Sequence, residues 1–370
     1  MQTHIAIIGG GLSGLHTAYE CHKKGIDYCL IEARSRLGGR ILSYQANQLE
    51  YDSNQAAFDL GPSWFWPGQQ RILSLIDELE LSQEVFFQNG KGEAIYEDQQ
   101  GNIQQGITGI SMSGAYRLKG GIRQLISRLS SKLNDKRVVL DSVTNSIKYE
   151  KDKVEINIQQ GELEETICSE YVVLALPPRV ALQNITFEPA FSNDRVSQLN
   201  NIATWMAGHA KLISVYEDNF WQENGLSGDV ISHKGPLQEI HDASVEGENL
   251  NALFGFLGIA PVYRRNREEE IKKLSIAQLV RLFGEKAREP ISIYLQDWSV
   301  ERYTTTQYDQ EIQRFHPANN IGYVQEPAWN KQLLWSGTES ADYSMQNNGF
   351  LEGALEASMH TVSLINKKII

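Results

Sequence analysis

A glycine turn near the start of the chain constrains the fold most: Gly9-x-Gly11-x-x-Gly14 stands between a short apolar run at residues 4–8 and the helix-patterned segment Leu15–Lys24. Tyr28–Glu32 reads as a second buried strand, so the chain opens as a β-α-β unit. In such a unit the missing side chains tighten the turn. They also let main chain approach a pyrophosphate at the positive end of the helix. Ser13 lies inside this turn, yet Gly11-Leu12-Ser13-Gly14 lacks the Gly-x-Ser-x-Gly spacing of a nucleophile elbow. Glu32 ends the second strand eighteen positions beyond Gly14, where a carboxylate can accept hydrogen bonds from a ribose. The expected fold class is therefore α/β with a Rossmann-like dinucleotide domain.

The 370 residues are 41% hydrophobic, enough to bury one large core or two coupled ones. A formal net charge of −12, with no long lysine and arginine run, argues against nucleic-acid binding. No apolar run approaches the roughly 20 residues that span a bilayer. Ile5–Leu15 is apolar but has no basic leader and contains three consecutive glycines, and Val362–Ile370 is too short and too basic for an anchor. The three cysteines, Cys21, Cys29 and Cys168, have neither metal-ligand nor disulfide spacing, which suits inert thiols in a reducing cytoplasm. The eight histidines form no metal-binding pair or triad; His209, His241 and His316 could touch substrate, with a core or surface role the favoured reading for each. No metal is expected.

Further elements follow from periodicity. Ile72, Leu75, Ile76 and Leu79 recur at helical spacing, and hairpin turns are expected at Asn89-Gly90 and Gln100-Gly101-Asn102. A helix is expected over Gly121–Leu133, then strands at Val138–Val143, Ile147–Glu150, Val154–Gln159 and Tyr171–Leu176. Residues 196–300 mix strands such as Lys211–Tyr216 and Ala252–Leu257 with a helix over Glu268–Phe283. The charged run Arg264–Glu270 reads as a solvated helix face laced with ion pairs.

The stretch Glu32-Ala33-Arg34-Ser35-Arg36-Leu37-Gly38-Gly39-Arg40 resembles the flavin amine oxidase family, in which a Gly-Gly-Arg turn closes over FAD. Arg34 and Arg40 can offset diphosphate charge, while Gly38 and Gly39 let main chain pass close to the cofactor. The other end is also similar to the family: Trp335-Ser336-Gly337-Thr338-Glu339, then Gly349-Phe350-Leu351-Glu352-Gly353-Ala354, matches its closing strand-turn-helix. Between them, Leu118–Gly121 and Val138–Val143 match the stretch that re-enters the cofactor domain, which implies that the main chain at Val143 meets the adenine. The resemblance implies cofactor contacts from Gly9, Gly11, Ser13, Gly14, Glu32, Arg34, Gly39, Arg40, Val143, Gly337, Glu339, Phe350 and Leu351.

The same resemblance implies catalytic residues. Lys211, in an apolar strand, matches the lysine that holds a water at flavin N5, and burying an ammonium there already points to a functional contact. In Asp297–Tyr308, Trp298 matches a tryptophan near the flavin and Tyr308 the first aromatic of a substrate cage, with Phe350 in the place of the second. Paired aromatic faces guide an amine toward the ring and interact with its developing positive charge. Gln307 replaces the flavin-linking cysteine, and an amide cannot form that thioether, so FAD is expected to be non-covalent. Trp64 stands where amino-acid oxidases of the superfamily carry a carboxylate-binding arginine, so Trp64 and Trp66 join Tyr308 and Phe350 as the expected substrate pocket.

The function implied is oxidation of an amine by hydride transfer to flavin, then imine hydrolysis and reoxidation by O2 or another acceptor. The alternatives are an FAD-dependent desaturase or isomerase acting on a C–C bond, and a non-catalytic flavin-binding partner protein. An NAD dehydrogenase leaves the Gly-Gly-Arg turn and closing motif without a role. The expected organisation is a discontinuous FAD-binding domain over 1–75, 118–195 and 301–370, with an α+β substrate domain over 76–117 and 196–300. The segment between Trp66 and Lys119 is much shorter than in the mammalian monoamine oxidases, and the sequence leaves the amine, the electron acceptor and the oligomeric state open.

Overall fold

The computed structural model describes residues 1–45, 57–88, 90–107, 112–245, 247–313, 328–341 and 347–369. Its first sheet is wholly parallel and runs in the order Leu333–Trp335, Tyr171–Leu174, Ile5–Ile8, Tyr28–Ile31, Val138–Val139. The two central strands are buried along their length, as a parallel sheet covered on both faces requires. On one face, Ile5, Ile7 and Leu30 pack against Leu15, Leu125 and Leu355 of the helices Leu12–Lys23, Arg123–Ser131 and Leu351–Ile369. On the other, Ala6, Ile8 and Ile31 meet Ile147, Ile156 and Ile167 of a second sheet.

That second sheet holds the antiparallel strands Ser142–Glu150, Lys153–Gln160 and Leu163–Ser169, with Thr186–Glu188 parallel to the first. The single strand expected over Val138–Val143 is therefore two. The chain turns at Asp141, whose φ is 53°, and leaves the parallel sheet after Val139 to enter the second sheet at Ser142. Ser142 N–H donates to the Glu32 carbonyl at 2.9 Å, which holds the crossover beside the end of the second parallel strand. The strand Leu163–Ser169 was absent from the sequence reading because its first four residues are all exposed, leaving no apolar alternation to detect.

The third sheet has seven strands, ordered Ser292–Asp297, Ala210–Tyr216, Asn251–Leu257, Leu237–Asp242, Leu226–Ser232, Glu93–Glu97, Ile103–Ile107. One face buries Leu212, Ile240 and Leu253 under Ile271, Leu279 and Leu282 of the helix Glu268–Phe283. The opposite face presents Ile213, Val215 and Phe254 to Tyr44, Phe58 and Leu60. The hairpin turn at Gln100–Asn102 is observed, with Asp98 accepting from the N–H groups of Gly101 and Asn102. Asn89 lies outside the described residues. Within the charged run, Arg267 pairs with Glu270 and Lys272 with Glu268 on the exposed helix face. Arg264 departs from that reading: it is 4% exposed, precedes the helix, and bonds the Asp297 carboxylate and the Gly208 carbonyl.

Candidate active site

A cavity of about 710 Å³ opens where the ends of the parallel strands meet the inner face of the seven-stranded sheet. At one end the glycine turn is shaped by three different needs. Gly9 has φ 107°, and a Cβ there would stand 2.6 Å from the Ala175 carbonyl oxygen. A Cβ on Gly14 would stand 1.9 Å from the Gly9 carbonyl oxygen, so this glycine seats the helix on the strand. Gly11, by contrast, has nothing within 4 Å of a Cβ position and lines the cavity. Open space at that backbone, beside the start of the helix Leu12–Lys23 that no side chain caps, could hold a diphosphate.

Glu32 is 4% exposed and lines the same end. Its carboxylate accepts from Gly10 N–H at 2.7 Å and Arg34 N–H at 2.9 Å, so it braces the turn while lining the cavity. Gly38 N–H donates to the Gly10 carbonyl at 2.8 Å, drawing the Gly-Gly-Arg turn over the first glycine turn. Arg34 reaches Glu301 at 3.1 Å and Thr304 at 2.9 Å. Arg40 pairs with the Glu339 carboxylate at 2.7 Å, and Glu339 is 1% exposed. Gly337 and Thr338 beside it line the cavity, whereas Glu339 is not among the described lining residues. Ser13 donates to the Ser336 carbonyl, and Thr338 Oγ1 to the Phe350 carbonyl at 2.9 Å, so the closing segment is tied to the glycine turn and to its own helix start. Val143, Gly39 and Leu351 also line the cavity.

At the other end Lys211 projects from the seven-stranded sheet, 2% exposed. Its Nζ donates to Ser63 Oγ at 2.7 Å and the Gly61 carbonyl at 3.3 Å, and lies 3.9 Å from the centre of the Phe254 ring. Burial lowers its pKa to about 7; Asp59 pulls against that shift and Arg117 adds to it. Trp298 donates from its indole to the Leu60 carbonyl at 3.1 Å, so it fixes the same Leu60–Ser63 turn that receives the lysine. Trp66 and Phe350 meet edge to face at 6.1 Å on the cavity wall. Trp64 lines the cavity too, its indole donating to Gln88 at 3.1 Å.

Tyr308 is a correction to the expected cage. The residue is 58% exposed and is not among the described residues that line the cavity. The tight turn Gln307–Asp309 turns Asp309 inward, where it accepts from Thr306 N–H and Oγ1 and pairs with Arg179; the neighbouring tyrosine then faces out beneath the Arg179 guanidinium. The Phe350 partner on the wall is Trp66. His209, read as core or surface, lines the cavity, with a pKa lowered to about 4 by burial and by the Arg264 charge. His316 lies outside the described residues.

The sequence reading missed Ser63, Phe256, Glu239 and Trp205, all of which line the cavity. Ser63 could have been found from its place two residues after Gly61 in a turn already singled out. No described group of histidine, cysteine and acidic side chains could hold a metal ion. The buried thiols of Cys21 and Cys29 are raised to about 12 and about 11 by desolvation, in keeping with inert residues.

A Rossmann-like sheet with an open glycine cradle at one end of a cavity and a buried lysine at the other defines a dinucleotide-dependent redox enzyme. The chain belongs to the flavin-containing amine oxidoreductases: that family's model matches residues 95–362, and an NAD(P)-binding Rossmann-like model matches residues 7–79. Its cofactor is FAD and it is an FAD-dependent amine oxidoreductase. Relatives include a probable flavin-containing monoamine oxidase A of Dictyostelium discoideum, 22% identical across 99% of this chain and 98% of that protein. Putrescine oxidase of Kocuria rosea is 20% identical over 83% of this chain and 84% of its own. The fold is shared with the solved cyclohexylamine oxidase from Brevibacterium oxydans, at 17% identity and a TM-score of 0.80 over 99% of both chains.

Proposed function

We propose that the protein oxidises an amine without an α-carboxylate, using non-covalently held FAD, with O2 as the acceptor that completes the cycle. The cofactor domain would draw on residues 1–75, 118–195 and 301–370 and the substrate domain on 76–117 and 196–300, the second carrying Lys211. FAD held along the Gly9–Gly14 turn, Glu32 and Arg34 would supply the two-electron oxidation of the amine's carbon–nitrogen bond, with O2 taking up the two electrons and two protons as H2O2. The single observation that carries this reading is Lys211, a cation buried in the cavity wall on Ser63.

Lys211 and Ser63 supply a donor pair able to hold a water at the reactive edge, and the lysine's charge would favour electron transfer to O2. Trp66 and Phe350 would pass the neutral amine along their faces, and water would then hydrolyse the imine to a carbonyl compound and ammonia, or the residual amine of an N-substituted substrate. Among the described residues lining the cavity, the arginines are Arg34 and Arg40, each facing a carboxylate at the cofactor end. No guanidinium of the described lining residues stands at the Lys211 end, which supports an amine over an amino acid. Gln307, exposed on its turn, has no thiol with which to link flavin. The three free cysteines fit a reducing cytoplasm.

Turnover of an amine panel in air tests the reading. Equal amounts of H2O2 and carbonyl product are expected. A desaturase or isomerase acting on a C–C bond would give neither from amines. Acid precipitation tests the linkage: yellow flavin passes into the supernatant, whereas flavin kept by the pellet would show a covalent bond.

A further inference from the structure

A second cavity, of about 700 Å³, lies between the helices Leu12–Lys23, Gln70–Glu78 and Leu351–Ile369 and shares no lining residue with the first. Its apolar lining includes the buried Leu75, Leu355 and Val362. His16 lines it though only 6% exposed, and no described residue bonds its Nε2. From the other ring nitrogen a row of buried hydroxyls leads inward. Nδ1 meets Ser358 Oγ at 2.9 Å, Ser358 Oγ meets Thr17 Oγ1 at 2.9 Å, and Thr17 Oγ1 meets Ser336 Oγ at 3.3 Å. Ser336 Oγ lies 2.9 Å from Ser13 Oγ, and Ser13 lines the first cavity at the glycine turn. The row therefore joins the two cavities through the packed helices.

Proton counting gives the row a direction. Thr17 Oγ1 donates to the Ser13 carbonyl at 2.9 Å and Ser13 Oγ to the Ser336 carbonyl, and a hydroxyl carries one proton. Ser336 Oγ must then donate to Ser13 Oγ, Ser358 Oγ to Thr17 Oγ1, and His16 Nδ1–H to Ser358 Oγ. Burial lowers the His16 pKa to about 4, against the pull of Glu20 and Glu78 and with a push from Lys23 and Lys24, so the ring is neutral near pH 7. A neutral ring with its proton on Nδ1 offers a bare lone pair at Nε2. The second cavity thus presents an acceptor, and Glu20 and Glu78, each paired with Lys23, line the same space. Of the lining cations, Lys24 pairs with Glu20 and Arg71 with Glu352. Lys367 stands nine residues beyond Ser358, about 13 Å along the helix. A ligand reaching His16 must bring an N–H donor, and the neighbouring acids suit a positive one.

We infer that the second cavity is a separate, non-catalytic site for a primary ammonium with a short apolar body, and that the hydroxyl row couples it to FAD. An ammonium N–H on Nε2 polarises Nδ1–H and each donor beyond it toward Ser13. Those bonds hold the glycine turn against Ser336 of the closing segment at the cofactor end. Ammonium and FAD therefore raise each other's affinity by one factor. The inference rests on FAD as the cofactor and not on the oxidation of any amine.

The probe is tert-butylammonium, whose nitrogen-bearing carbon has no hydrogen to lose, so it is not oxidised. Tetramethylammonium, a cation without an N–H donor, is the control. Apoprotein is titrated with FAD at rising concentrations of each chloride salt. The FAD Kd is expected to fall about fivefold or more with tert-butylammonium alone, and calorimetry should find that cation bound tighter to holoprotein than to apoprotein by the same factor. His16→Phe should abolish both effects. Ser358→Ala leaves the Nε2 acceptor in place, and should keep the ammonium bound while removing its effect on FAD. Thermal midpoints report on folding; if His16→Phe does not fold, Met359→Trp, which fills the cavity at an exposed lining position outside the row, takes its place. FAD affinity unmoved by tert-butylammonium, or moved as far by tetramethylammonium or acetate, overturns the inference. So does an effect that survives His16→Phe, which would put the ammonium elsewhere, or Ser358→Ala, which would leave the row without a part in the coupling. Flavin reduction by oxidisable amines is untouched by each of these outcomes, so the two readings fail separately.

Discussion

Lys211 is a cation where cations are costly, and its site lowers its pKa to about 7 through burial while keeping it hydrogen-bonded to Ser63. Protonated lysine therefore predominates below about pH 7 and is lost as pH rises through it, so a step that needs the charge slows on that side. Lys211→Met keeps much of the volume and removes charge and donors. It should slow flavin reoxidation by O2 about tenfold or more while changing anaerobic reduction less, and flatten the pH dependence of reoxidation near neutrality. Stopped-flow records of the two half-reactions, taken separately across pH, check this; equal effects on both would make Lys211 a packing residue. The lysine was legible in the sequence because it interrupts an apolar strand. Glu239 was not, since an acid in a strand of alternating polarity looks solvated until a neighbouring strand places it in a cavity. Tyr308 was misread because matching a position does not fix the direction of a side chain: Asp309, with its buried hydrogen bonds, took the inward place.

At the scale of elements, the glycine turn separates folding from binding. Gly14→Ala would drive a methyl group into the Gly9 carbonyl, 1.9 Å away, at the joint of the first strand and helix. That backbone contact cannot yield locally, and a loss of several kcal/mol in stability is expected. Gly11→Ala meets no atom within 4 Å, and its backbone, at φ −72°, accepts any residue, so the fold should persist. The methyl would occupy the cradle, and FAD affinity should fall about tenfold or more. Thermal melts of the apoproteins beside flavin titrations check the contrast; parallel losses in both variants would remove Gly11 from the binding surface. The first β-α-β unit and the helix Glu268–Phe283 were readable because their apolar periods are long and unbroken. The break at Asp141 was not, because the apolar residues on either side, Val139 and Val143, continue the same pattern while serving different sheets.

Across the whole molecule, the parallel sheet supplies the dinucleotide end of one cavity and the seven-stranded sheet supplies Lys211, Phe256 and Glu239 to the other. No helix among the described residues is long and apolar enough to cross a membrane. The motifs at the chain ends made FAD legible as the cofactor in advance, since a glycine turn between a strand and a helix suits backbone contact with a diphosphate. The substrate half depends on the register of distant strands, which no local pattern records. On the proposed function, an amine bound in this cavity gives its electrons to the flavin. Mixing the yellow protein anaerobically with amines measures it directly: the flavin absorbance should bleach, stay bleached without oxygen, and return when air is admitted, with H2O2 released. Flavin that stays oxidised with every amine of the panel, in protein whose FAD is fully bound, would contradict the account and favour a binding role without turnover.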